Sequence, residues 1–395
     1  MTARRNLFRF TAMAAILLGM IQLLVIAAIW IPPLFGHALD GIEPLFWRGV
    51  WMWGLPTLFS VLVVVYSSLQ LVFQRRANRR FERQAITYHI YPRGDEESGG
   101  CETGTQFWNQ VVDLLPKNDH LILSISRLAD QRIQFGMTAL PETCRTVLHQ
   151  LFADWPGTQV KEASSIGAPF PVVRRASQQA ETSQPVAHLQ LAPSNVTQPL
   201  QTRMTDPLLP PLVELSQLPA TVEAGILVYV RRDVLTQQRQ LRTAQRQAAA
   251  RKRAAKLQST PQPTTVTEKR ADRAGDERAD RPFLEVQIVV WAAAETMPQA
   301  RGVMHSLAKD VSAQYGIANP LIQFSEKGRQ PTVRFPTYAG KPLTDIELGS
   351  VMHLLGKKGV QVAPQLATAT ARNLEPAQSC RIPARAQLLA SLGAT

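Results

Sequence analysis

Cysteine is scarce in this 395-residue chain: Cys101, Cys144 and Cys380 are the whole complement, and none forms a C-x-x-C pair. An odd number at long spacing is a poor disulfide framework and reads as reduced, unpaired thiols in a cytosolic compartment. A phosphate-binding loop of the form G-x-x-x-x-G-K-[ST] is also missing. The nearest stretches, Gly356-Lys357-Lys358 and Gly340-Lys341-Pro342, have neither a hydroxyl residue after the lysine nor the upstream glycine. The loop Gly94 to Gly104 stands between a predicted strand and a predicted helix, where such a loop would sit. Its Asp95, Glu96, Glu97 and Glu102 would repel a phosphate. The seven histidines (His37, His89, His120, His149, His188, His305 and His353) are scattered, with no pair at metal-ligand spacing. Ser164-Ser165-Ile166-Gly167 lacks the first glycine of a nucleophile elbow. We therefore assign no catalytic, cofactor-binding or metal-binding residue and expect a protein that is not an enzyme and carries no cofactor.

Charge is absent from two long stretches. Residues 10–31 hold none, enough to cross a hydrocarbon core of about 30 Å as a helix, and no small-x-small cleavage site follows. Residues 49–74 form a second apolar run, kinked at Pro56, with Trp47, Trp51 and Trp53 crowding one end as interfacial aromatics do. Arginines flank the outer ends: Arg4, Arg5 and Arg9 before the first run, and Arg75, Arg76, Arg79, Arg80 and Arg83 after the second. Between the runs stand Asp40 and Glu43 with Arg48 as the one cation. The positive-inside rule then predicts a multi-pass protein of the inner (cytoplasmic) membrane with both termini cytoplasmic.

Acid is absent from a third stretch. Gln238 to Gln258 carries seven Lys and Arg residues and no Asp or Glu, in a chain of net charge +13 and pI about 10.1. Ala, Gln and Leu fill most of the rest, so a helix is predicted. Arg239, Arg242, Arg246, Arg253 and Lys256 share one face, and Arg251 and Lys252 widen it. No apolar stripe lies opposite, which excludes a core helix and an interfacial one. Either it is a solvated spacer or it binds phosphate by charge alone. DNA and anionic lipid both fit as partners.

What remains has a repeating order. Strands are predicted at 86–91, 121–126, 132–137 and 158–161, with helices at 105–115 and 141–153, the latter opened by Pro141. Strands at 187–192, 225–230, 283–292 and 321–325, with helices at 208–218 and 296–315, repeat the order β-α-β-β-α-β, the ferredoxin-like or split βαβ order. The expected fold is thus a membrane-anchored α+β chain. A transmembrane hairpin with a basic flank (1–83) leads into a first ferredoxin-like unit (84–163), a linker (164–186) and a second unit (187–327). The second unit carries the basic insertion 231–281, a long helical hairpin at its hairpin tip, where loop-closure entropy grows slowly with length. A tail (328–395) follows, with an extended piece at 331–338 and a helix over 344–355, capped by Thr344 with Glu347 at the capping-box position. Tyr229, Phe283 and Trp291 fall on strands where RNA-recognition domains stack bases, but the RNP pattern is absent and core packing is the better reading.

Three stretches carry a resemblance: Gln131 to Ala163, Arg281 to Gly316 and Leu343 to Leu355. Together with the two N-terminal runs, they resemble the N-terminal part of membrane-bound conjugative DNA-transfer proteins, which belong with the coupling-protein and type IV secretion ATPases of bacteria. The resemblance implies a duplicated ferredoxin-like region seated at the inner membrane face and a role in DNA transfer; a homo-oligomer is a further expectation. The family's ATPase domain has no counterpart in these 395 residues, so a separate ATPase subunit is the expected partner.

Overall fold

The computed structural model of the protein describes residues 55–94, 100–116, 119–127, 131–163, 184–194, 199–200, 206–232, 278, 281–316, 319–328, 331–332, 334–335, 341–355 and 357–368. The chain divides into two compact units, Met1–Arg79 and Arg80–Thr395. Helix α1 (Leu55–Gln84) runs across that boundary and leads directly into strand β1 (Ile86–Tyr91). Among the described residues no helix is long and apolar enough to cross a membrane. The first predicted span, 10–31, lies outside them, as do the start of the second and most side chains between 55 and 71.

The remaining elements are α2 (Cys101–Leu114), β2 (His120–Arg127), β3 (Ile133–Ala139), α3 (Pro141–Asp154), β4 (Gln159–Glu162), β5 (Val186–Pro193), α4 (Leu209–Gln217), β6 (Glu223–Arg232), β7 (Phe283–Ala293), α5 (Met297–Ala313), β8 (Leu321–Lys327), β9 (Lys341–Thr344), α6 (Asp345–Val351) and α7 (Lys357–Val362). The fold is α+β. Among the described residues, nine strands form one sheet in the order β4-β1-β3-β2-β6-β7-β5-β8, with β9 on β7, and their ladders are antiparallel. In each half the outer strand is the fourth of its series, followed by the first, third and second. The halves meet through their second strands, β2 and β6, paired from His120↔Arg231 to Arg127↔Ala224.

The two sheet faces are read from strand alternation. Leu121, Leu123 and Ile125 of β2, Ile226 and Val228 of β6, and Ile288 and Val290 of β7 point to the main core. There Trp108 and Val111 of α2, Val147 and Leu151 of α3, Leu212 and Leu215 of α4, and Met304 and Leu307 of α5 meet them. Ile122, Leu227, Tyr229, Val289 and Trp291 point the other way, into a smaller cluster with Phe81, Leu140 and Phe335. Tyr229, Phe283 and Trp291 are at most 4% exposed, and the Tyr229 hydroxyl donates to Thr332 O at 2.7 Å. These aromatics pack; none lies open for stacking a base.

Several elements differ from the sequence expectation. The helix expected over 344–355 spans only Asp345–Val351, because Met352 is extended, and a separate short helix, Lys357–Val362, follows. Helix α2 begins at Cys101 rather than 105, after Gly100 at φ 93°. Four residues with loop composition thus form its first turn, with Glu102 at the favourable end of the helix dipole. Of the extended piece expected at 331–338, residues 331, 332, 334 and 335 are described and belong to no strand, while β9, at 341–344, was not expected. Its place follows from the length of β7, whose last six residues pair with β5 and whose first four would be an open edge without β9.

Residues 341–355 and 357–368 are built into the core. Gly349 of α6 lies against α2, where an added Cβ would stand 2.6 Å from Thr105 N. Trp108 Nε1 donates to Met352 O at 2.9 Å. Farther on, Ile133 N donates to Gln365 O and Ala367 N to Ile133 O, bridging Leu366 to the start of β3. Residues 341–368 therefore pair with β7 in the second half and pack on α2 and β3 in the first.

Candidate functional site: the root of the basic insertion

The cations singled out in the sequence (Arg239, Arg242, Arg246, Arg251, Lys252, Arg253 and Lys256) lie outside the described residues. The structure does describe the two ends from which their segment springs. The outgoing end is the tip of β6. Arg231 Nε lies 2.5 Å from Glu285 Oε2, directly across on β7, and its guanidinium stands 4.3 Å from the centre of the Phe335 ring. Arg232 Nη2 is 3.8 Å from Asp113 Oδ1 at the end of α2, an exposed contact of little energetic weight. His120, opposite Arg231 on β2, stacks on Phe81 at 3.7 Å and meets Phe335 edge-on at 5.8 Å.

The returning end is held more firmly. Arg278 and Glu347 form a fork-to-fork pair, Nε to Oε1 at 2.9 Å and Nη2 to Oε2 at 3.1 Å, with both side chains 3% exposed. Arg278 Nη2 also donates to Pro342 O at 3.1 Å, and its guanidinium lies 5.1 Å from the Phe283 ring centre. Three residues on, Arg281 Nη1 reaches the buried Asp345 Oδ2 at 2.9 Å.

Glu347 is the hub of this arrangement. Oε1 accepts from Leu200 N at 2.6 Å as well as from Arg278. Oε2 accepts from Thr344 N at 2.7 Å and from Thr344 Oγ1 at 3.2 Å. The Thr344–Glu347 capping box read from the sequence is present, its reciprocal bond running from Glu347 N to Thr344 Oγ1 at 3.3 Å. One buried carboxylate thus ties together the segment after β5, the returning end of the insertion and the start of α6. Sequence reasoning found the capping role and missed the ion pair; Arg278 stands 69 residues away and nothing local marks it.

The four root arginines face Glu285, Asp113, Glu347 and Asp345. Charge at the root is therefore matched, and the excess lies between the ends. Residues 233–277 hold ten Lys and Arg against five Asp and Glu, a net of +5.

Two other places bring together groups of the kind that chemistry or binding would use. His353 Nδ1 lies 2.8 Å from Gly349 O and Nε2 lies 3.1 Å from Asp206 Oδ1, with Cys101 close enough to feel Asp206. Burial first and Asp206 second push the Cys101 thiol up to about 11. That is the wrong direction for a nucleophile, so Cys, His and Asp here do not make an activated thiol. A small cleft, with room for little more than a water molecule, is lined by residues that include Phe107, Phe135, Trp155, Met352 and His353. Its wall is almost wholly apolar and offers no convergent polar groups. Among the described residues, no group of three or more His, Cys, Asp or Glu could hold a metal ion. No protein-family model matches the chain, and no curated protein does.

Proposed function

We propose that this chain is a non-enzymatic, inner-membrane-anchored component of a conjugative or type IV secretion-like DNA-transfer apparatus, docking a separate motor ATPase. The observation that carries the reading is the duplicated order. Two β-α-β-β-α-β series, each with strand order 4-1-3-2, are joined edge to edge and follow two apolar runs flanked by arginine. On this reading the halves are two ferredoxin-like units, residues 10–31 and 49–74 are the transmembrane hairpin, both termini are cytoplasmic, and the protein assembles as a homo-oligomer around its motor. The insertion presents Arg239, Arg242, Arg246, Arg251, Lys252, Arg253 and Lys256 to DNA or to anionic lipid. Charge matching at its root supports that use, because the root arginines are taken up by Glu285, Asp113, Glu347 and Asp345 and the net of +5 belongs to residues 233–277. The test is genetic. A donor strain deleted for this gene should lose transfer of a mobilisable plasmid by orders of magnitude and regain it on complementation; transfer at the parental frequency would refute the assignment.

A second reading is favoured by the same net of +5 in residues 233–277: a membrane-tethered nucleic-acid-binding protein with no motor partner. Binding by charge alone falls steeply with salt and shows little sequence preference. Duplex binding that survives with its salt slope intact when the seven cations are changed to Gln would remove the insertion from both readings.

A further inference from the structure

The described part of α1 carries, at the end of the run read as the second span, a surface whose lipid preference that reading leaves open. Val65, Tyr66, Val72 and Phe73 are 48, 64, 43 and 63% exposed. At 100° per residue these four fall on one face of the helix, as positions i, i+1, i+7 and i+8. Arg76 follows Phe73 by three residues and Val72 by four, so it continues the same face; Arg79 adjoins it, and Arg75 flanks it. All three arginines are exposed. No Asp or Glu occurs between Leu55 and Phe81.

An exposed apolar face ending within one helical turn in a band of cations fits one kind of partner. Nucleic acid would satisfy the arginines and leave Tyr66, Val72 and Phe73 in water. A solvated spacer would satisfy neither. A bilayer meets both, because its hydrocarbon ends and its phosphates begin over a few ångströms. At a rise of 1.5 Å per residue, Arg76 and Arg79 stand about 4.5 and 9 Å beyond Phe73 along the axis. The headgroup layer is roughly 5–8 Å thick on each side of the hydrocarbon core. With Phe73 at the hydrocarbon edge, the guanidinium groups lie at the depth of the phosphates, and their stems can reach back along the apolar face. We infer that Arg75, Arg76 and Arg79 form a headgroup-binding band that selects anionic over zwitterionic phospholipid at the inner leaflet. This rests on the membrane-anchor reading and adds a lipid preference to it.

The test uses the full-length chain in a mild detergent, offered an equimolar mixture of phosphatidylglycerol and phosphatidylcholine, with retained lipid counted by native mass spectrometry. The wild type should retain phosphatidylglycerol over phosphatidylcholine by roughly tenfold, given the gain each cation contributes near an anionic surface. R75Q/R76Q/R79Q should bring the ratio close to parity, and R75K/R76K/R79K should keep most of it. An unchanged ratio in the Gln variant overturns the proposal. So does a Gln variant that loses binding to a duplex oligonucleotide while its lipid ratio stays put, which would give the band to nucleic acid. Release of the wild type from membranes by alkaline carbonate without detergent would overturn the anchor reading itself, a result distinguishable from a lost lipid preference.

Discussion

Replacing Glu347 by Gln keeps the shape of the side chain and removes its charge, and the geometry says the change cannot be accommodated. Oε1 receives Leu200 N and Arg278 Nε, while Oε2 receives Thr344 N, Thr344 Oγ1 and Arg278 Nη2. Whichever way the new amide is turned, its NH2 faces a backbone N–H and a guanidinium N–H. Arg278, 3% exposed, loses the charge of Glu347. Breaking one partner of a buried ion pair costs about 3–5 kcal/mol, and an orphaned backbone donor falls within that range. For a body of this size the expected fall in Tm is about 4–8 °C, since the shift per kcal/mol shrinks as the unfolding entropy grows with length. The assay is thermal unfolding of the full chain in nanodiscs, followed by near-ultraviolet circular dichroism. The apolar pair R278M/E347L should recover most of the loss, since a buried ion pair replaced by well-packed apolar residues is often neutral. An E347Q melt within about 1 °C of the wild type would refute the hub, because surface substitutions stay within that margin. Additive single and double variants would refute the pairing.

Three further outcomes follow from the described contacts. Gly349→Ala should destabilise by about 1–3 kcal/mol, because its Cβ would meet Thr105 N at 2.6 Å and Cys101 O at 3.0 Å; amide exchange in α2 and α6 should rise together. Trp108→Phe removes the buried bond to Met352 O and should lower stability by about 1–3 kcal/mol through the unsatisfied carbonyl, read as a shift in Tm. Burial pushes the thiols of Cys101 and Cys144 up to about 11 and about 12, so iodoacetamide at pH 8 should leave both peptides largely unmodified until the protein is unfolded. For these two groups the folded value is the higher one. Their contribution to stability is therefore complete below the unfolded thiol value and lost as pH rises through about 11 and then about 12.

Much of the sheet was legible because its strands announce themselves. β1 is ITYHIY at residues 86–91 in both the sequence reading and the structure. β7, predicted at 283–292, runs from Phe283 to Ala293. Pro141 opens α3 as expected, and Thr344 caps α6. The first turn of α2 was missed because Cys-Glu-Thr-Gly after a double glycine reads as loop; its fit depends on Gly349 lying against Thr105, a contact made some 245 residues away. β9 was missed because four residues, Lys-Pro-Leu-Thr, hold no alternation; they form a strand because β7 offers an unfilled edge. The cations that drew attention in the sequence are not described in the structure. Of the acids that hold their segment at its root, only Glu347 was marked, by its capping-box position; Glu285, Asp113 and Asp345 carry no motif.

The seam between the halves lends itself to a paired experiment in which the same chemical change should act with opposite sign. β2 and β6 are the strands through which the two halves join. Gly225 sits on that seam opposite Ser126. A Cβ there would stand 2.5 Å from Ile125 O and 2.9 Å from Ser126 Cα. Both neighbours are backbone, so neither can swing aside, and the strands must separate locally. Gly225→Ala should therefore destabilise by about 1–3 kcal/mol, the ordinary range for overpacking. Gly302 lies on the exposed side of α5, and an added Cβ meets nothing within 4 Å. There alanine only reduces the freedom of the unfolded chain and suits the helix, so Gly302→Ala should stabilise by about 0.5–1 kcal/mol. Thermal melts of the two variants in the full chain give the signs directly. Hydrogen exchange assigns the cause: β2 and β6 amides should exchange faster in Gly225→Ala and unchanged in Gly302→Ala. If both substitutions move Tm the same way, close approach of the two backbones is not what holds a glycine at 225. The seam would then owe its strength to side chains such as Ile122 and Tyr229, which meet across it on the smaller core.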